Sequence, residues 1–380
     1  MAIKLGTSDI SKVYLGATEV SKIYLGATEI YSALSLLLDT YTGAGFAYSF
    51  RQIRAAYSGN NIRARESSGS TEQNIGFASG VLDSSSLLTF TGSNDGLVTI
   101  IYDQSTNGNN FTQTTAANQL EIVNSGALVT SNSLAATQGS SSTGGQTSSI
   151  AFSGMTDIWF FDVVDVTDTA STQVLYESST NSTGVAGAFS IVINNGDLVI
   201  ENRNSGGFAI INKYSISTGR QILSVRIRTG LNTLSFSDLY INNTQISSNT
   251  NTGGGVSFLS DKILYVGARA GTSLGFTGKR QASIFYPSNQ SSNRVGIETN
   301  MMDYYLYTFG TWVNAMMVQA NALGYQLPTT ATLTDLQNRL ATIGDTALNK
   351  LDVLHIYSPD AGTMDFFTLN VVAPTTIQAT

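Results

Sequence analysis

Short β-rich segments separated by turn residues run through most of this 380-residue chain. Examples are "GLVTIIYD", "DIWFFDVVDV" and "RQILSVRIRTG", and clusters of Gly, Ser and Asn lie between such segments. This pattern favours a β-sandwich or jelly roll over alternating strands and helices. The clearest hairpin signal is "INNGDLVI" at 193–200, where Asn-Gly joins two β-rich runs. A short helix is predicted at 47–56.

Composition excludes several classes of protein. The chain has no Cys and a single His, which excludes a disulfide scaffold and a cysteine or multi-histidine metal site. Its 19 basic residues are scattered and its formal charge is −7, so we expect no nucleic-acid partner. No apolar run has the length of a membrane span, and the N-terminus lacks the apolar core of a signal peptide, so we expect no membrane partner.

A ten-residue repeat opens the chain, with "SKVYLGATEV" and "SKIYLGATEI" at 11–30 and a looser copy before them. Each repeat has the length of one strand and one turn, which predicts a β-meander. Strands this short with apolar residues on both faces need a partner, which is either another chain or the next domain of this one. The predicted attachment or oligomer interface comprises Val13, Tyr14, Leu15, Val20, Ile23, Tyr24, Leu25 and Ile30.

The pattern changes after Tyr286. Asn293 is a plausible cap for a helix that runs to about Tyr307, and a second helix follows Thr332. The segments "LDVLHIYSPDAG" and "MDFFTLNVVAP" then resemble strands, and we expect His355 to be a structural residue of the first. The predicted organisation is an N-terminal β-repeat attachment segment at 1–33, a β-sandwich at 34–290 and a small α/β C-terminal module at 291–380.

Two stretches carry a resemblance to known families. "GAGFAYSFRQIRAAYSGNNIRARESSG" and "LVTIIYDQSTNGNNFTQ" resemble the opening of the α-L-arabinofuranosidase B catalytic domain, a concanavalin-like β-sandwich. With the N-terminal repeat and the later strings "NALGYQLP" and "NKLDVLHIYSPD", the whole chain also resembles bacteriophage virion proteins of the tail-fibre, head-fibre or capsid-decoration kind. The expected fold is mainly β: a concanavalin-like β-sandwich, or jelly roll, with the N-terminal β-meander and the C-terminal α/β module.

The enzyme resemblance implies a nucleophile but no acid. "DLVIENRNSG" resembles the nucleophile segment and places that role on Glu201, whereas Gly271 in "GARAGTS" stands where the acidic Asp is expected. A retaining glycosidase needs two carboxyl groups about 5 Å apart. Asp197 and Asp261 are the substitutes left open. We therefore predict no enzymatic activity, with a retaining glycosidase using Glu201 and an unidentified acid/base as the alternative.

Other polar and aromatic clusters have two interpretations each. Asp103, Asn107 and Asn109 lie in the oxygen-rich "YDQSTNGNN", a candidate calcium or glycan loop, although such residues more often cap turns. No other cofactor or metal is predicted. Trp159 and Phe161 could form a sugar platform, but their alternation indicates a core strand.

The resemblance to virion proteins implies a non-enzymatic structural protein, a fibre or decoration protein, which attaches through its N-terminal repeats. It would be located in the virion after assembly in the bacterial host cytoplasm. The expected partners are other virion proteins, two further copies in a homotrimer and a host-surface glycan. The alternatives are a glycoside hydrolase or depolymerase of arabinofuranosidase type and a glycan-binding module without a structural role.

Overall fold

The computed structural model describes residues 36–179, 187–203, 209–228, 236–248, 250–252 and 262–306, together with strand segments near both ends of the chain. The chain divides into two compact units, residues 35–306 and residues 1–34 with 307–380. The predicted boundaries at 33 and 290 stay predictions.

Both ends of the chain contribute strands to the smaller unit. The N-terminal repeats form three antiparallel hairpins: β1 (Lys4–Leu5) with β2 (Ser8–Asp9), β3 (Tyr14–Leu15) with β4 (Thr18–Glu19), and β5 (Lys22–Leu25) with β6 (Thr28–Ser32). Of the predicted interface residues, Val13 and Val20 lie outside the described residues and the side chains of the other six are not described. The interface therefore stays a prediction. The helix predicted after Thr332 also lies outside the described residues.

Within its described residues, the larger unit contains most of the strands and three α-helices. Its strands are β7 (Phe46–Ser49), β8 (Ile62–Glu66), β9 (Glu72–Ile75), β10 (Phe77–Ala78), β11 (Val81–Leu82), β12 (Gly96–Ile101), β13 (Phe111–Thr112), β14 (Leu120–Asn124), β15 (Ala127–Leu128), β16 (Thr130–Ser131), β17 (Leu134–Ala135), β18 (Thr137–Gly139), β19 (Gly145–Ile150), β20 (Asp157–Val166), β21 (Gln173–Glu177), β22 (Phe189–Asn194), β23 (Asp197–Arg203), β24 (Ala209–Ser215), β25 (Gly219–Arg228), β26 (Ser237–Ile241), β27 (Thr244–Ile246), β28 (Thr250–Thr252), β29 (Lys262–Val266) and β30 (Gly278–Tyr286). Its helices are α1 (Leu37–Thr40), α2 (Ser84–Thr91) and α3 (Arg294–Tyr305).

In the smaller unit, the last strands are β31 (Val353–Tyr357), β32 (Phe366–Asn370) and β33 (Thr376–Ala379), which pair as a three-stranded antiparallel sheet. His355 lies in β31, opposite Thr368 of β32.

Two antiparallel layers build the sandwich. The first sheet has the strand order β7-β30-β20-β25-β26-β27. The second sheet has the order β28-β24-β23-β22-β21-β29-β19-β13-β12-β8-β9. Strands β14 and β18 connect the layers, because β14 pairs with β12 and β18 pairs with β30. The prediction of a mainly β sandwich is confirmed.

Alternation along β20 builds two apolar layers. Phe160 and Val164 lie in the core between the sheets, whereas Trp159 and Phe161 lie on the opposite face and pack in a second core that includes Ile297 of α3. Trp159 and Phe161 are at most 1% exposed. Their interpretation as core residues is confirmed, and helix α3 covers this face of the first sheet.

Local sequence signals predicted some turns correctly and one helix wrongly. Asn195 and Gly196 have φ of 51° and 84° and connect β22 to β23, as the Asn-Gly hairpin predicts. The helix predicted at 47–56 is wrong: Phe46–Ser49 is strand β7 because it pairs with β30 in the first sheet. Asn293 is the N-cap residue of α3, which ends at Tyr305. Among the described residues no helix is long and apolar enough to cross a membrane.

Candidate functional site

A row of residues crosses the second sheet on its outer face, the face turned away from the core between the sheets. The pairing register places Tyr265, Glu177, Ser190, Glu201 and Ile211 opposite one another on five neighbouring strands. Directly paired residues share a face of the sheet. We call this set the outer-face row.

Glu201 reaches the outer face because β23 alternates. Leu198 and Ile200 are fully buried in the core between the sheets, so Glu201 and Arg203 point the other way. An Arg203 guanidinium nitrogen lies 2.9 Å from Glu201 Oε1, and the two side chains are 16% and 18% exposed. The residue that the arabinofuranosidase resemblance nominates as nucleophile therefore has limited access to solvent.

Glu177 is a second carboxylate in the row, which the sequence alone does not indicate. Its side chain is 0% exposed, and its Oε2 accepts a hydrogen bond of 2.9 Å from Nε of Arg269, whose side chain is 25% exposed. Only Ser190, which is 2% exposed, lies between Glu177 and Glu201 in the row. The row thus holds two glutamates, each in contact with an arginine.

The loop at 267–273, where the family's acid is expected, brings Arg269 to Glu177. The Arg269 N–H donates to the Ser273 carbonyl at 2.7 Å, and Gln113 Nε2 donates to the Gly271 carbonyl at 2.9 Å. Gly271 has φ +73°, a left-handed conformation that favours glycine. This loop contributes a guanidinium group to the site in place of a carboxyl group.

The open substitutes for the acid have different positions. Asp197 lies on the same face of β23 as Glu201, but four residues along an extended strand correspond to about 13 Å. Asp261 lies outside the described residues. Glu177 is two strands from Glu201, a Cα separation of about 10 Å at the usual strand spacing. Glu177 is therefore better placed than Asp197 to act with Glu201.

A buried polar cluster lies behind the row, inside the sandwich. Asp162 Oδ1 accepts hydrogen bonds of 2.6 Å from the Tyr176 hydroxyl and from Ser283 Oγ, and an Arg280 nitrogen lies 3.8 Å away. Burial raises the pKa of the Asp162 carboxyl, and Arg280, Ser283 and Tyr176 oppose this shift only in part. Because Tyr176 immediately precedes Glu177, the cluster fixes the strand that carries this end of the row.

The candidate calcium or glycan loop has a different geometry. The Asp103 carboxylate accepts hydrogen bonds from the N–H groups of Ala47, Ser105 and Asn109, at 2.8–3.1 Å, and from Ser105 Oγ at 2.7 Å. Asn107 and Asn109 donate through their amide groups to carbonyl oxygens just before β7. These bonds tie the loop to the first sheet. No group of three or more acidic or histidine side chains among the described residues is placed to hold a metal ion, and the calcium site stays a prediction.

Comparison with known proteins gives similarity to solved structures only. No family model and no curated protein matches the chain. An arabinofuranosidase complexed with arabinofuranosyl-α-1,2-xylobiose is 18% identical with a TM-score of 0.48, over 70% of this chain and 64% of that one. A Ruminococcus gnavus sialidase carbohydrate-binding domain bound to α2,3-sialyllactose is 12% identical with a TM-score of 0.33, over 43% of this chain and 96% of that one. The chain thus spans less than two thirds of the arabinofuranosidase.

These similarities correct one prediction. The two solved structures are an arabinofuranosidase and a sugar-binding domain, and neither is a virion protein. The prediction of a non-enzymatic phage virion structural protein, a fibre or decoration protein, is therefore wrong. The predictions about oligomeric state, partners, location and cofactors are untested. At these identities the likeness concerns the β-sandwich fold and no individual residue.

Proposed function

We propose that the larger unit is a glycoside hydrolase of arabinofuranosidase type whose site is the outer-face row. The observation that carries this proposal is the register that aligns Glu177, Ser190 and Glu201 on three neighbouring strands. Paired carboxyl groups are the common requirement of glycoside hydrolysis.

The spacing of the row suits this chemistry. Carboxyl groups lie about 5–5.5 Å apart in retaining enzymes and about 6.5–9.5 Å apart in inverting ones. The Cα atoms of Glu177 and Glu201 are about 10 Å apart at the usual strand spacing, so both side chains would have to lean over the small Ser190 to bring their carboxyl groups into this range. A larger residue at position 190 would fill the space between them.

In the proposed reaction Glu201 attacks the anomeric carbon while the bond to the leaving oxygen breaks and its electron pair stays on that oxygen. Glu177 donates the proton that the leaving oxygen takes up. Water then attacks the anomeric carbon, returns a proton to Glu177 and releases Glu201. Because Glu177 is completely buried, its contact with Arg269 must open when the substrate enters.

The test is turnover of 4-nitrophenyl α-L-arabinofuranoside by the full chain and its Glu201→Gln variant. We expect kcat/KM to fall by about a hundred-fold or more, the scale of lost acid–base or nucleophilic assistance. Glu298→Gln is the control, because Glu298 on α3 is likewise in contact with an arginine, Arg294 at 2.8 Å, but lies away from the row. Equal activity of the two variants would refute the assignment.

A second function, glycan binding without hydrolysis, is favoured by the contact between Glu177 and Arg269. A guanidinium group at 2.9 Å stabilises a negative carboxylate, whereas the acid of a glycosidase must carry a proton. Saturable binding of an arabino-oligosaccharide to a wild-type protein that shows no turnover would establish this function. Loss of that binding in Glu201→Gln would place it at the row.

A further inference from the structure

Each glutamate of the outer-face row contacts an arginine, but the two contacts have opposite consequences for the proposed reaction. Arg203 lies 2.9 Å from Glu201, and Arg269 lies 2.9 Å from Glu177. A cation beside a carboxyl group favours its ionised form. The nucleophile Glu201 must be ionised, whereas the acid Glu177 must carry a proton when the leaving oxygen departs. The contact of Arg269 with Glu177 therefore opposes the first step of the reaction.

Arg269 is the member of its pair that has contact with solvent. Its side chain is 25% exposed, whereas the Glu177 side chain is 0% exposed. In the other pair the two side chains are exposed to a similar, small extent, 16% for Arg203 and 18% for Glu201. A molecule that approaches Glu177 from solvent therefore reaches the guanidinium group of Arg269 first.

The backbone that carries Arg269 is anchored on both sides of this residue. The Arg269 N–H donates to the Ser273 carbonyl at 2.7 Å, and the Thr272 N–H donates to the Arg269 carbonyl at 3.0 Å. Gln113 Nε2 holds the same loop through the Gly271 carbonyl at 2.9 Å. A long arginine side chain changes rotamer without any change in such a backbone. The contact with Glu177 therefore opens by movement of the side chain alone.

Arg269 belongs to the side of Glu177 that is opposite to Glu201. Its loop follows β29, which pairs with one edge of β21, whereas β22 and then β23 lie beyond the other edge. The two carboxyl groups of a glycosidase flank the scissile bond. A group that lies beyond the acid, away from the nucleophile, is therefore next to the leaving group of the substrate.

Separating Arg269 from Glu177 is unfavourable unless the guanidinium group finds another anion. A buried charge that loses its partner is strongly destabilising, and a carboxyl group in that position takes up a proton instead. A neutral leaving group offers the guanidinium group no comparable partner. A carboxylate offers the same two oxygens as Glu177 and accepts the same fork of N–H donors.

We propose that the outer-face row acts on glycosides whose leaving group carries a carboxylate, that is, a uronic acid residue next to the scissile bond. The substrate carboxylate binds Arg269, and Glu177 takes up a proton from the solvent. This proton passes to the leaving oxygen as its bond to the anomeric carbon breaks and the bond to Glu201 forms. The inference rests on the proposed hydrolase function and names the class of its substrate.

The test compares turnover of 3-carboxyphenyl α-L-arabinofuranoside, the carboxylate probe, with turnover of its methyl ester, the ester probe, by the full chain. Both leaving groups have the same ring, and only the first is charged. The ester withdraws electrons more strongly and gives the better leaving group, so leaving-group chemistry alone favours the ester probe. We expect kcat/KM to be about ten-fold or more higher for the carboxylate probe, the scale of a charge-assisted hydrogen bond.

Arg269→Gln should change the two values in opposite directions. Without the guanidinium group Glu177 is no longer held ionised, so kcat/KM should rise for the ester probe and fall for the carboxylate probe, to within about two-fold of each other. A loss of structure would instead lower both values together. Arg269→Lys retains the charge and should retain part of the preference.

Arg294→Gln is the matched control. Arg294 is likewise paired, at 2.8 Å, with a completely buried glutamate, Glu298, and both residues lie on α3 away from the row. This variant should leave the ratio of the two kcat/KM values unchanged.

Equal kcat/KM of the wild type for the two probes would overturn the inference and leave the hydrolase function intact. A fall of both values by the same factor in Arg269→Gln would do the same. If the wild type turns over neither probe and no 4-nitrophenyl α-L-arabinofuranoside, the hydrolase function is refuted, and the inference with it.

Discussion

Replacing Asp162 should destabilise the sandwich in a way that depends on which hydrogen bonds the new residue preserves. Asp162→Ala leaves the Tyr176 hydroxyl and Ser283 Oγ without their buried acceptor. Each such orphaned group costs about 1–3 kcal/mol, so we expect a loss of about 4 kcal/mol. Asp162→Asn retains an acceptor oxygen of the same shape and should cost about 1 kcal/mol.

The same carboxyl group gives a pH dependence with a defined sign. Its pKa is raised in the folded protein, chiefly by burial, so the folded state holds this proton at pH values where the unfolded state has released it. The resulting stability is fully present below the unfolded pKa of about 3.9 and is lost as pH rises through the folded pKa. The free energy of unfolding of wild type minus that of Asp162→Asn should therefore fall over this window.

The measurement is urea denaturation of both proteins from acid to neutral pH, followed by the fluorescence of Trp159, which packs in the second core between the first sheet and α3 and is 1% exposed. A Trp312→Phe background removes the other tryptophan of the chain. Because a single carboxyl group titrates, the difference between the two free energies of unfolding can change by at most about 1.4 kcal/mol per pH unit. A difference that rises with pH, or an alanine variant as stable as the asparagine one, would refute the reasoning.

Three further predictions follow from the described contacts. Gly275→Ala should lower the free energy of unfolding by about 3 kcal/mol or more, because a Cβ there would collide with the Ser140 carbonyl oxygen. The control Gly76→Ala, whose Cβ would have no atom within 4 Å, should change it by less than about 0.5 kcal/mol in the same denaturation assay. Asp103→Ala should lower the melting temperature, because the Asp103 carboxylate accepts hydrogen bonds from three N–H groups and one O–H group. Since these donors already occupy the carboxylate, adding calcium or a chelator to the wild type should not change the melting temperature measured by calorimetry. Gly271→Asp should give no gain in arabinofuranoside turnover if Glu177 is the second carboxyl group, since Asp is strained at φ +73°, and a ten-fold gain would assign that role to the loop instead.

Local patterns in the sequence predicted the fold class better than they predicted which strands pair with each other. The Asn-Gly turn at 195–196 and the N-cap Asn293 are signals within a few residues, and both are found where they were expected. The alternation of β20 likewise placed Trp159 and Phe161 in a core. Strand β7 was missed because its conformation depends on β30, more than two hundred residues away in the chain.

The contacts of the candidate site were even harder to predict from local sequence patterns than the strand pairings were. Glu201 was available from a resemblance, but Arg269 reaches Glu177 across 92 residues, and no local pattern predicts such a contact. The loop around Gly271 was expected to lack the family's acid, and nothing in its sequence indicated that it would carry Arg269 to Glu177. Contacts of this kind are determined by the order of strands in the sheet.

A β-bulge decides which face Glu177 occupies. The register between β21 and β22 shifts between Val174 and Tyr176, so Leu175 is the extra residue, and both Leu175 and Tyr176 lie in the core between the sheets. Strict alternation from Leu175 would send Glu177 into that core, where a carboxylate would lack Arg269. The bulge reverses the alternation and places Glu177 in line with Glu201. The two glutamates can therefore act together only because the regular strand pattern is broken at Leu175, one residue before Tyr176. An interpretation of the sequence that assumes strict alternation from Leu175 places Glu177 on the wrong face of the sheet.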